Sequence, residues 1–208
     1  MAGIEAVVFD IGNVLIGWAP EQFYDKVIGA EKRARLFVEV PIFEMNDRVD
    51  LGADFTKSVH ELASQHHEWK AEILLWHDRW LEMAQPEIEH SSKLLRALRA
   101  KKILVFALSN FGVGSLEIAK KAYPVLTEFD RAYVSGHLGV MKPDPEIYQR
   151  LEDDSGVSPG GLLFADDRLD NIEAADARGW GTHHFVEPQG FADRLVAENL
   201  LTETEAAV

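Results

Sequence analysis

The sequence contains no cysteine among its 208 residues. Without thiols the chain can form neither a disulfide bond nor a cysteine nucleophile, and this composition fits a reducing compartment. The sequence also lacks any apolar run near the ~20 residues that a membrane-spanning helix requires. Its first residues do not show the basic and then apolar pattern of a secretory signal. These absences lead us to expect a cytoplasmic protein with no membrane partner.

Positive charge is scarce as well. The chain has 21 Lys and Arg residues against 35 Asp and Glu residues, and its formal net charge at pH 7 is -14. An electrostatic field of that sign repels nucleic acids and anionic lipid surfaces, so we expect no nucleic acid partner. The hydrophobic content of 47% is ordinary for a globular protein, and the length suits one α/β domain with a modest insertion. The residue pattern indicates no particular oligomeric state.

Five short runs rich in β-branched, aromatic and other apolar residues predict buried strands. They cover residues 6–9, 103–108, 132–134, 162–165 and 182–185. Helical patterns lie between them at 115–122, 145–153 and 169–178, and Gly179 stands where a helix C-cap glycine belongs. Strands that alternate with helices of this length predict an α/β fold, a three-layer, Rossmann-like arrangement around a parallel sheet.

Residues 18–85 interrupt this alternation, because they contain helical patterns at 20–28, 54–66 and 68–83 but no convincing strand. Pro41 and Gly52 separate these patterns, and Pro86 follows the last one. We predict an inserted α-helical cap at 18–85 and a core formed by residues 1–17 and 86–208. An insertion after the first strand of such a sheet lies over the strand ends, where it can exclude water and select substrates.

Reactive side chains follow the predicted strands or lie in loops beside them. Asp10 follows the first strand, Ser109 the second, Lys142 lies in GVMKPDPEIY, and Asp166 and Asp167 follow LLFA. In an open α/β sheet, ligands bind beyond the carboxyl ends of the strands, so we expect these residues to meet. A carboxylate nucleophile, a hydroxyl and a lysine for phosphate oxygens, and paired acids for a cation are the parts of a phosphoryl-transfer site. Oxygen ligands beside an anionic substrate favour Mg²⁺.

The segments VVFDIGNVL, VFALSN, GVMKPDPEIY and LLFADDRLDN resemble, in that order, the four motifs of the haloacid dehalogenase superfamily of aspartate-nucleophile hydrolases. The resemblance covers nearly the whole chain. It implies that Asp10 is the nucleophile and that the backbone carbonyl of Gly12 is a metal ligand. It also implies that Asp166 and Asp167 are the acidic metal-binding pair, and that the helical insertion is the family's cap.

Further site residues take their roles from the same resemblance. Ser109 matches the phosphate-binding hydroxyl, with the amide of Asn110 beside it, and Lys142 matches the lysine that neutralises nucleophile and phosphate. Asn171 takes a supporting place four residues after Asp167. Asn110 could equally cap its own loop, and Asn171 could equally pack the loop of the acidic pair.

The sequence departs from the family pattern at Gly12, where most phosphatases of the family carry a second aspartate that acts as general acid and then as general base. The motif FDIGNVL, together with LSN, is similar to the motifs of a branch of the family that includes bacterial α-D-glucose-1-phosphate phosphatases. A sugar 1-phosphate releases a better leaving group than a plain alkoxide, so the missing acid would matter less. We expect turnover to favour good leaving groups unless the cap or the substrate supplies a proton.

These features predict a Mg²⁺-dependent phosphatase that acts on a small phosphorylated metabolite, with a sugar phosphate favoured, through an aspartyl-phosphate at Asp10. Arg48 in the cap is a candidate contact for substrate hydroxyls or phosphate, although a solvated helix end explains it as well.

Two alternatives stay open. In a haloacid dehalogenase, Asp10 would attack carbon and displace halide, a leaving group that requires no acid. A catalytically weak member of the family would instead bind a phosphorylated ligand or a partner protein. A metal requirement separates the phosphatase from the dehalogenase, and turnover with Mg²⁺ separates it from the weak member.

Overall fold

A five-stranded parallel sheet forms the centre of the protein in the computed structural model, which describes residues 3–207. The strands are β1 (Ala6–Phe9), β2 (Leu104–Ser109), β3 (Arg131–Val134), β4 (Leu162–Asp166) and β5 (Gly181–His184). Their order across the sheet is β3-β2-β1-β4-β5. Strand β1 therefore lies between β2 and β4, and its Val8 is paired with Phe106 on one side and Phe164 on the other.

Each face of the sheet buries its own layer of apolar side chains. In β1, Val7 and Phe9 belong to the apolar cluster on one face, and Ala6 and Val8 belong to the cluster on the other. Successive side chains of a strand point to opposite faces, so a strand covered on both faces is apolar at every position. The predicted three-layer α/β fold with a parallel sheet is confirmed.

Helices cover both faces of the sheet and fill the cap. Leu94, Leu116 and Phe191 lie in the apolar cluster of the first face, whereas Tyr148 and Ile172 lie in that of the second. The described helices are α1 (Pro20–Ile28), α2 (Ala30–Glu39), α3 (Ile42–Asp50), α4 (Phe55–Gln65), α5 (Lys70–Asp78), α6 (Trp80–Met83), α7 (Glu89–Ala100), α8 (Val113–Ala122), α9 (Ser135–Leu138), α10 (Pro145–Ser155), α11 (Leu169–Asp176), α12 (Pro188–Ala197) and α13 (Glu203–Ala206). Within residues 3–207, no helix has both the length and the apolar character needed to cross a membrane.

Most predicted elements agree with the structure to within one or two residues, and two differences have clear physical reasons. Strand β4 includes Asp166, because its ladder with β5 continues to the pair of Asp166 and His184. The helix predicted at 68–83 is divided at Arg79, whose φ of -124° and ψ of 27° leave the helical region. Helices α2, α3, α7, α9, α12 and α13 lie outside the predicted ranges.

The cap consists of helices α1 to α6, and no strand occurs among the described residues between β1 and α7. Its centre is Trp76, a fully buried side chain with ring centroids 5.9 Å from Trp18, 6.1 Å from Tyr24 and 5.7 Å from Phe43. Aromatic pairs at these distances stabilise the packing beyond the area that they bury. Trp76 is therefore the centre of the apolar packing in the cap, which is continuous with the cluster on the first face of the sheet.

The two connections between cap and core run side by side. Ile16 and Glu87 form an isolated antiparallel bridge, and the amide of Gly17 donates to the carbonyl of Pro86 (2.8 Å). A Cβ at Gly17 would lie 2.4 Å from the carbonyl oxygen of Gln85. Only glycine permits this approach, and it keeps the cap close to the end of β1.

Candidate active site

The carboxyl ends of three neighbouring strands bring Asp10, Ser109 and Asp166 to one edge of the sheet. Asp10 directly follows β1, and its amide donates to the carbonyl of Ala165 in β4 (2.9 Å). Ser109 ends β2 and Asp166 ends β4, and all three side chains are buried. The order of the strands reverses at β1, and the crevice beyond such a point is where ligands bind in open α/β sheets.

Lys142 reaches this edge from the loop before α10 and is only 2% exposed. Its Nζ lies 2.9 Å from Asp10 Oδ1 and 2.5 Å from Asp166 Oδ2, and it donates to the carbonyl of Leu108 (2.7 Å). Burial opposes the charged ammonium, but the two carboxylates raise the pKa of Lys142 above its ordinary value. A permanent positive charge therefore lies between the two carboxylates.

Asn110 holds the loop that carries Lys142. Its Nδ2 donates to the carbonyl of Lys142 (2.9 Å), and its Oδ1 accepts from the amide of the same residue (2.7 Å). Both ends of the side-chain amide are thus engaged with the backbone of one residue. The Asn110 side chain thus holds the loop of Lys142 and not its own loop, which explains how the lysine is positioned.

Asp166 is fully buried and is held by donors from two directions besides Lys142. The amide of Arg168 donates to its Oδ1 (2.8 Å), and Asn171 Nδ2 lies 3.0 Å from both of its oxygens. Asn171 is in turn fixed by the hydroxyl of Tyr148, which donates to its carbonyl (3.0 Å). Asn171 therefore acts on the acidic pair through Asp166.

Asp167 is more exposed than Asp166 and takes its position from Asn13. Asn13 Nδ2 donates to Asp167 Oδ2 (2.9 Å), and Asn13 Oδ1 accepts from the amide of Trp18 (2.8 Å). The backbone of Asn13 has a φ of 55°, a left-handed conformation that asparagine tolerates better than most residues. Asn13 is a site residue absent from the predicted set, although it stands only three positions after Asp10.

The carboxylates of Asp10, Asp166 and Asp167 converge, with one oxygen of each within 4.8 Å of the others. Together with the Lys142 ammonium, three carboxylates leave two net negative charges in the site. Asp10 Oδ1 accepts no well-directed hydrogen bond within the described residues, so an oxygen is available beside the ammonium. Oxygen donors with this net charge suit a divalent cation such as Mg²⁺.

Burial raises the pKa of Asp10 to about 6. The Lys142 ammonium opposes this rise, and the Asp166 carboxylate adds to it. A hydrogen bond from the Ser109 hydroxyl also opposes the rise. A carboxylate that is poorly solvated but still ionised at neutral pH is a stronger nucleophile than one in water.

Gly12 lines the cavity two residues beyond Asp10. Its φ is not in the left-handed region, and a Cβ built there would have Trp18 Cβ, at 4.0 Å, as its nearest contact. Neither backbone conformation nor space therefore requires glycine at this position. The missing acid is a chemical feature of the site and not a consequence of packing.

A cavity of about 560 Å³ lies over the strand ends and extends to the cap. This volume is in the usual range of small-molecule sites, about 300–1,000 Å³. Its wall on the core side includes Asp10, Gly12, Ser109, Asn110, Lys142, Asp167 and Asn171. Its wall on the cap side includes Phe43, Asn46, Asp47, Asp50 and Trp80.

Arg48 is not brought into this site. The residues of α3 that line the cavity are Phe43, Asn46, Asp47 and Asp50, which recur at the i, i+3, i+4 and i+7 spacing of one helix face. Arg48 lies outside that stripe, is exposed and does not line the cavity. The structure thus offers no support for a substrate contact by Arg48. The same helical spacing is the signal by which Asn46 and Asp50 could have been identified.

Comparisons with known proteins agree on one family. A family model described as haloacid dehalogenase-like hydrolase matches residues 4–179. The chain is 27% identical over 202 residues to the D-ribitol-5-phosphate phosphatase of Bacteroides thetaiotaomicron, covering 91% of this chain and 94% of that protein. It is 25% identical over 183 residues to a sesquiterpene phosphatase of Aspergillus oryzae, covering 88% of this chain and 90% of that protein.

Solved structures of a HAD family enzyme and of a haloacid dehalogenase share the fold of this chain. A HAD family enzyme from Bacteroides thetaiotaomicron, in complex with magnesium and inorganic phosphate, has a TM-score of 0.69 and 24% identity, with 89% of this chain and 96% of that chain covered. The L-2-haloacid dehalogenase of Xanthobacter autotrophicus has a TM-score of 0.62 and 18% identity, with 98% of this chain and 86% of that chain covered. At these identities the likeness concerns the fold alone.

Proposed function

Because the chain belongs to the haloacid dehalogenase-like hydrolases, we propose that it is a Mg²⁺-dependent phosphatase that hydrolyses a small phosphorylated metabolite. The observation that carries the proposal is the convergence of three carboxylates, from Asp10, Asp166 and Asp167, on one edge of the cavity beside a buried ammonium. Relatives named as phosphatases cover most of the chain and support the same activity.

The reaction proceeds in two displacements at phosphorus. An oxygen of Asp10 forms a bond to phosphorus as the bond to the leaving oxygen breaks, which gives an aspartyl-phosphate. Water then attacks the same phosphorus, and the bond to Asp10 breaks with release of inorganic phosphate. Lys142 and Ser109 donate hydrogen bonds to the non-bridging oxygens and stabilise the charge that these oxygens carry in both transition states.

Asp10, Asp166, Asp167 and the carbonyl of Gly12 are the groups that would hold the cation. When bound, Mg²⁺ would offset the repulsion between the carboxylate nucleophile and the incoming phosphate. Lys142 alone leaves two negative charges in the site, so we expect phosphate to bind poorly without the cation.

The dehalogenase alternative uses Asp10 but not the metal-binding capacity of the acidic cluster. Displacement of halide from carbon needs a carboxylate nucleophile but no divalent cation, and Asp167 would then be an unused charge at the cavity wall. The cluster thus favours phosphoryl transfer. A requirement for metal remains the measurement that separates the two reactions.

The cap side of the cavity favours a polyhydroxylated substrate, with a sugar phosphate as the leading class. Asn46, Asp47 and Asp50 offer hydrogen-bond acceptors and donors to hydroxyl groups, while Phe43 and Trp80 offer apolar surface. A wholly apolar leaving group would remove water from the carboxylates of Asp47 and Asp50 without replacing its hydrogen bonds, which is costly. A second phosphate would be repelled by the carboxylates.

A metabolite screen tests the proposal directly. Phosphate release is measured over sugar, polyol, nucleoside and isoprenyl monophosphates, with Mg²⁺ and after chelation, and halide release is measured with 2-haloacids. We expect metal-dependent phosphate release that is greatest with sugar or polyol phosphates. The control is Asp10→Asn, which keeps the shape of the side chain and removes the nucleophile. Halide release that persists after chelation would instead assign the dehalogenase reaction.

A further inference from the structure

Asp50 is a carboxyl group of the cavity wall to which the reaction described above gives no role. It is the last residue of α3, it is half-buried, and it lines the same cavity as Asp10 and Gly12. Its Oδ2 accepts a hydrogen bond from Asn46 Nδ2 (2.9 Å), and Asn46 Oδ1 accepts one from Trp76 Nε1 (3.2 Å). Because Trp76 is fully buried, this chain of hydrogen bonds fixes the carboxyl to the core of the cap.

The end of α3 is also fixed to the loop that follows β2. The hydroxyl of Ser135 donates to the carbonyl of Asp50 (2.6 Å) and accepts from the amide of Phe111 (2.9 Å). Gly112 in the same loop comes so near that a Cβ there would lie 2.4 Å from Val49 Cγ1. This loop begins at the hydroxyl that binds phosphate in the proposed reaction. The end of α3 that carries Asp50 is therefore joined by contacts to the loop beside the phosphate site.

No cation offsets the charge of Asp50 within the described residues, and the ionisable group that acts on it is Asp47 of the same helix. Burial, followed by Asp47, raises the pKa of Asp50 to about 7, while the Gly112 amide and the Asn46 side chain oppose the rise. The helices that pack against α3 are α4 and α9, and their ionisable side chains are exposed: Lys57, His60, Glu61 and His137. An acid with a pKa near neutrality can both give and take a proton at physiological pH.

We propose that Asp50 is the general acid and general base of the hydrolysis, in place of the carboxyl group that Gly12 lacks. This inference rests on the proposed phosphatase function. As Asp10 bonds to phosphorus and the bond to the leaving oxygen breaks, Asp50 transfers its proton to that oxygen, and an alcohol departs. The resulting Asp50 carboxylate then takes a proton from the water that attacks the aspartyl-phosphate. Phosphate and the Asp10 carboxylate are released, and Asp50 holds its proton again.

Asp50→Asn tests this role, because the amide keeps the shape of the side chain but cannot transfer the proton. Asp47→Asn is the matched control, since it removes a carboxylate from the same helix and the same cavity wall. The substrates are a polyol phosphate, whose alkoxide needs a proton, and p-nitrophenyl phosphate, whose leaving group does not. The rate constant of aspartyl-phosphate formation, taken from release of the leaving group in the first turnover, and kcat are measured with Mg²⁺ for both substrates from pH 5 to 9.

A positioned general acid typically contributes ~10²–10⁴-fold. We therefore expect Asp50→Asn to lower the rate constant of aspartyl-phosphate formation by ~10²-fold or more with the polyol phosphate and by less than tenfold with p-nitrophenyl phosphate. We also expect the part of the pH dependence near pH 7, which Asp50 supplies, to disappear. Asp47→Asn should lower kcat for both substrates by a similar, small factor and keep the pH dependence, displaced to lower pH because the Asp47 carboxylate raises the pKa of Asp50.

Three other results have distinct meanings. Equal losses of that first-step rate with both substrates would assign Asp50 to cap packing and overturn its role as an acid, while wild-type turnover would uphold the phosphatase function. Unchanged kcat with the polyol phosphate would also overturn the role. A wild-type protein that releases no phosphate from either substrate would overturn the phosphatase function and, with it, the role of Asp50.

Discussion

Replacing Gly12 with aspartate would place a carboxyl group where most phosphatases of this family carry their acid. The backbone accepts a Cβ there, because that atom would meet only Trp18 Cβ at 4.0 Å. The cost is electrostatic, since the new charge joins the carboxylates of Asp10, Asp166 and Asp167. A carboxylate ~6 Å from Asp10 would be repelled by roughly 3 kcal/mol at an effective dielectric constant of ~20.

The magnitude of that repulsion gives the first expected result. For a protein of this length, 1 kcal/mol changes Tm by roughly 2–4 °C, so Gly12→Asp should lower Tm by about 6–12 °C without metal. Saturating Mg²⁺ should recover most of the loss, because the cation offsets the added charge. Gly12→Asn is the matched control, since it has the same size without the charge. Its Tm should stay near that of the wild type.

The second expected result concerns turnover. In the Asp50→Asn background, Gly12→Asp should restore kcat for a polyol phosphate by ~10²-fold or more, because it supplies the acid at the other wall of the cavity. In the wild-type background the gain should be less than tenfold, since Asp50 already serves. Steady-state kinetics with Mg²⁺ measures both. A large gain in the wild type would refute the reasoning, because it would mean that the unmodified site has no acid.

Four further results are expected from the same site. Asp10→Asn should abolish turnover without lowering Tm, and mass spectrometry of the acid-quenched wild type should find phosphate on Asp10; a folded Asp10→Asn protein with substantial turnover would exclude the covalent mechanism. Chelation should abolish activity and Mg²⁺ should restore it, whereas Asp167→Asn should raise the Mg²⁺ concentration needed for half-maximal rate; full activity after chelation would contradict the metal site. Arg48→Ala should change KM by less than threefold, because the side chain does not line the cavity; a tenfold rise would show that the cap moves onto the substrate. Because the pKa of Asp50 rises from 3.8 to about 7 on folding, its contribution to stability is complete below pH 4 and is lost as pH rises to 7. In urea unfolding at pH 8, the free energy of unfolding of Asp50→Asn should therefore exceed that of the wild type by at most about 4 kcal/mol, and at pH 4 the two should be equal. An equal difference at both pH values would contradict the raised pKa.

The amino-acid sequence by itself determined the central sheet and the place of Asp10 at its edge. A parallel strand covered on both faces must be apolar at every position, so runs such as Ala6–Phe9 are visible without any structure. The carboxyl ends of parallel strands meet at one edge, which brings Asp10, Ser109 and Asp166 together from distant parts of the chain. Local pattern and topology were sufficient for these residues.

Tertiary structure alone decided what the cap contributes. Arg48 and Asp50 lie two residues apart on α3, and the predictions favoured the arginine. Successive residues of a helix point in directions about 100° apart, so the face that lines a cavity depends on how the helix packs. Here Met45 and Val49 are buried in the cap core, which leaves Asn46 and Asp50 on the cavity wall and Arg48 in solvent.

The electrostatic state of the site also required the fold. Lys142 has no sequence neighbour among the carboxylates that it pairs with, and its 2.9 Å contact with Asp10 exists because the loop before α10 is held by Asn110. The raised pKa of Asp50 likewise comes from burial that no local sequence pattern specifies. Desolvation is a property of all the atoms around a group, and most of those atoms come from other parts of the chain.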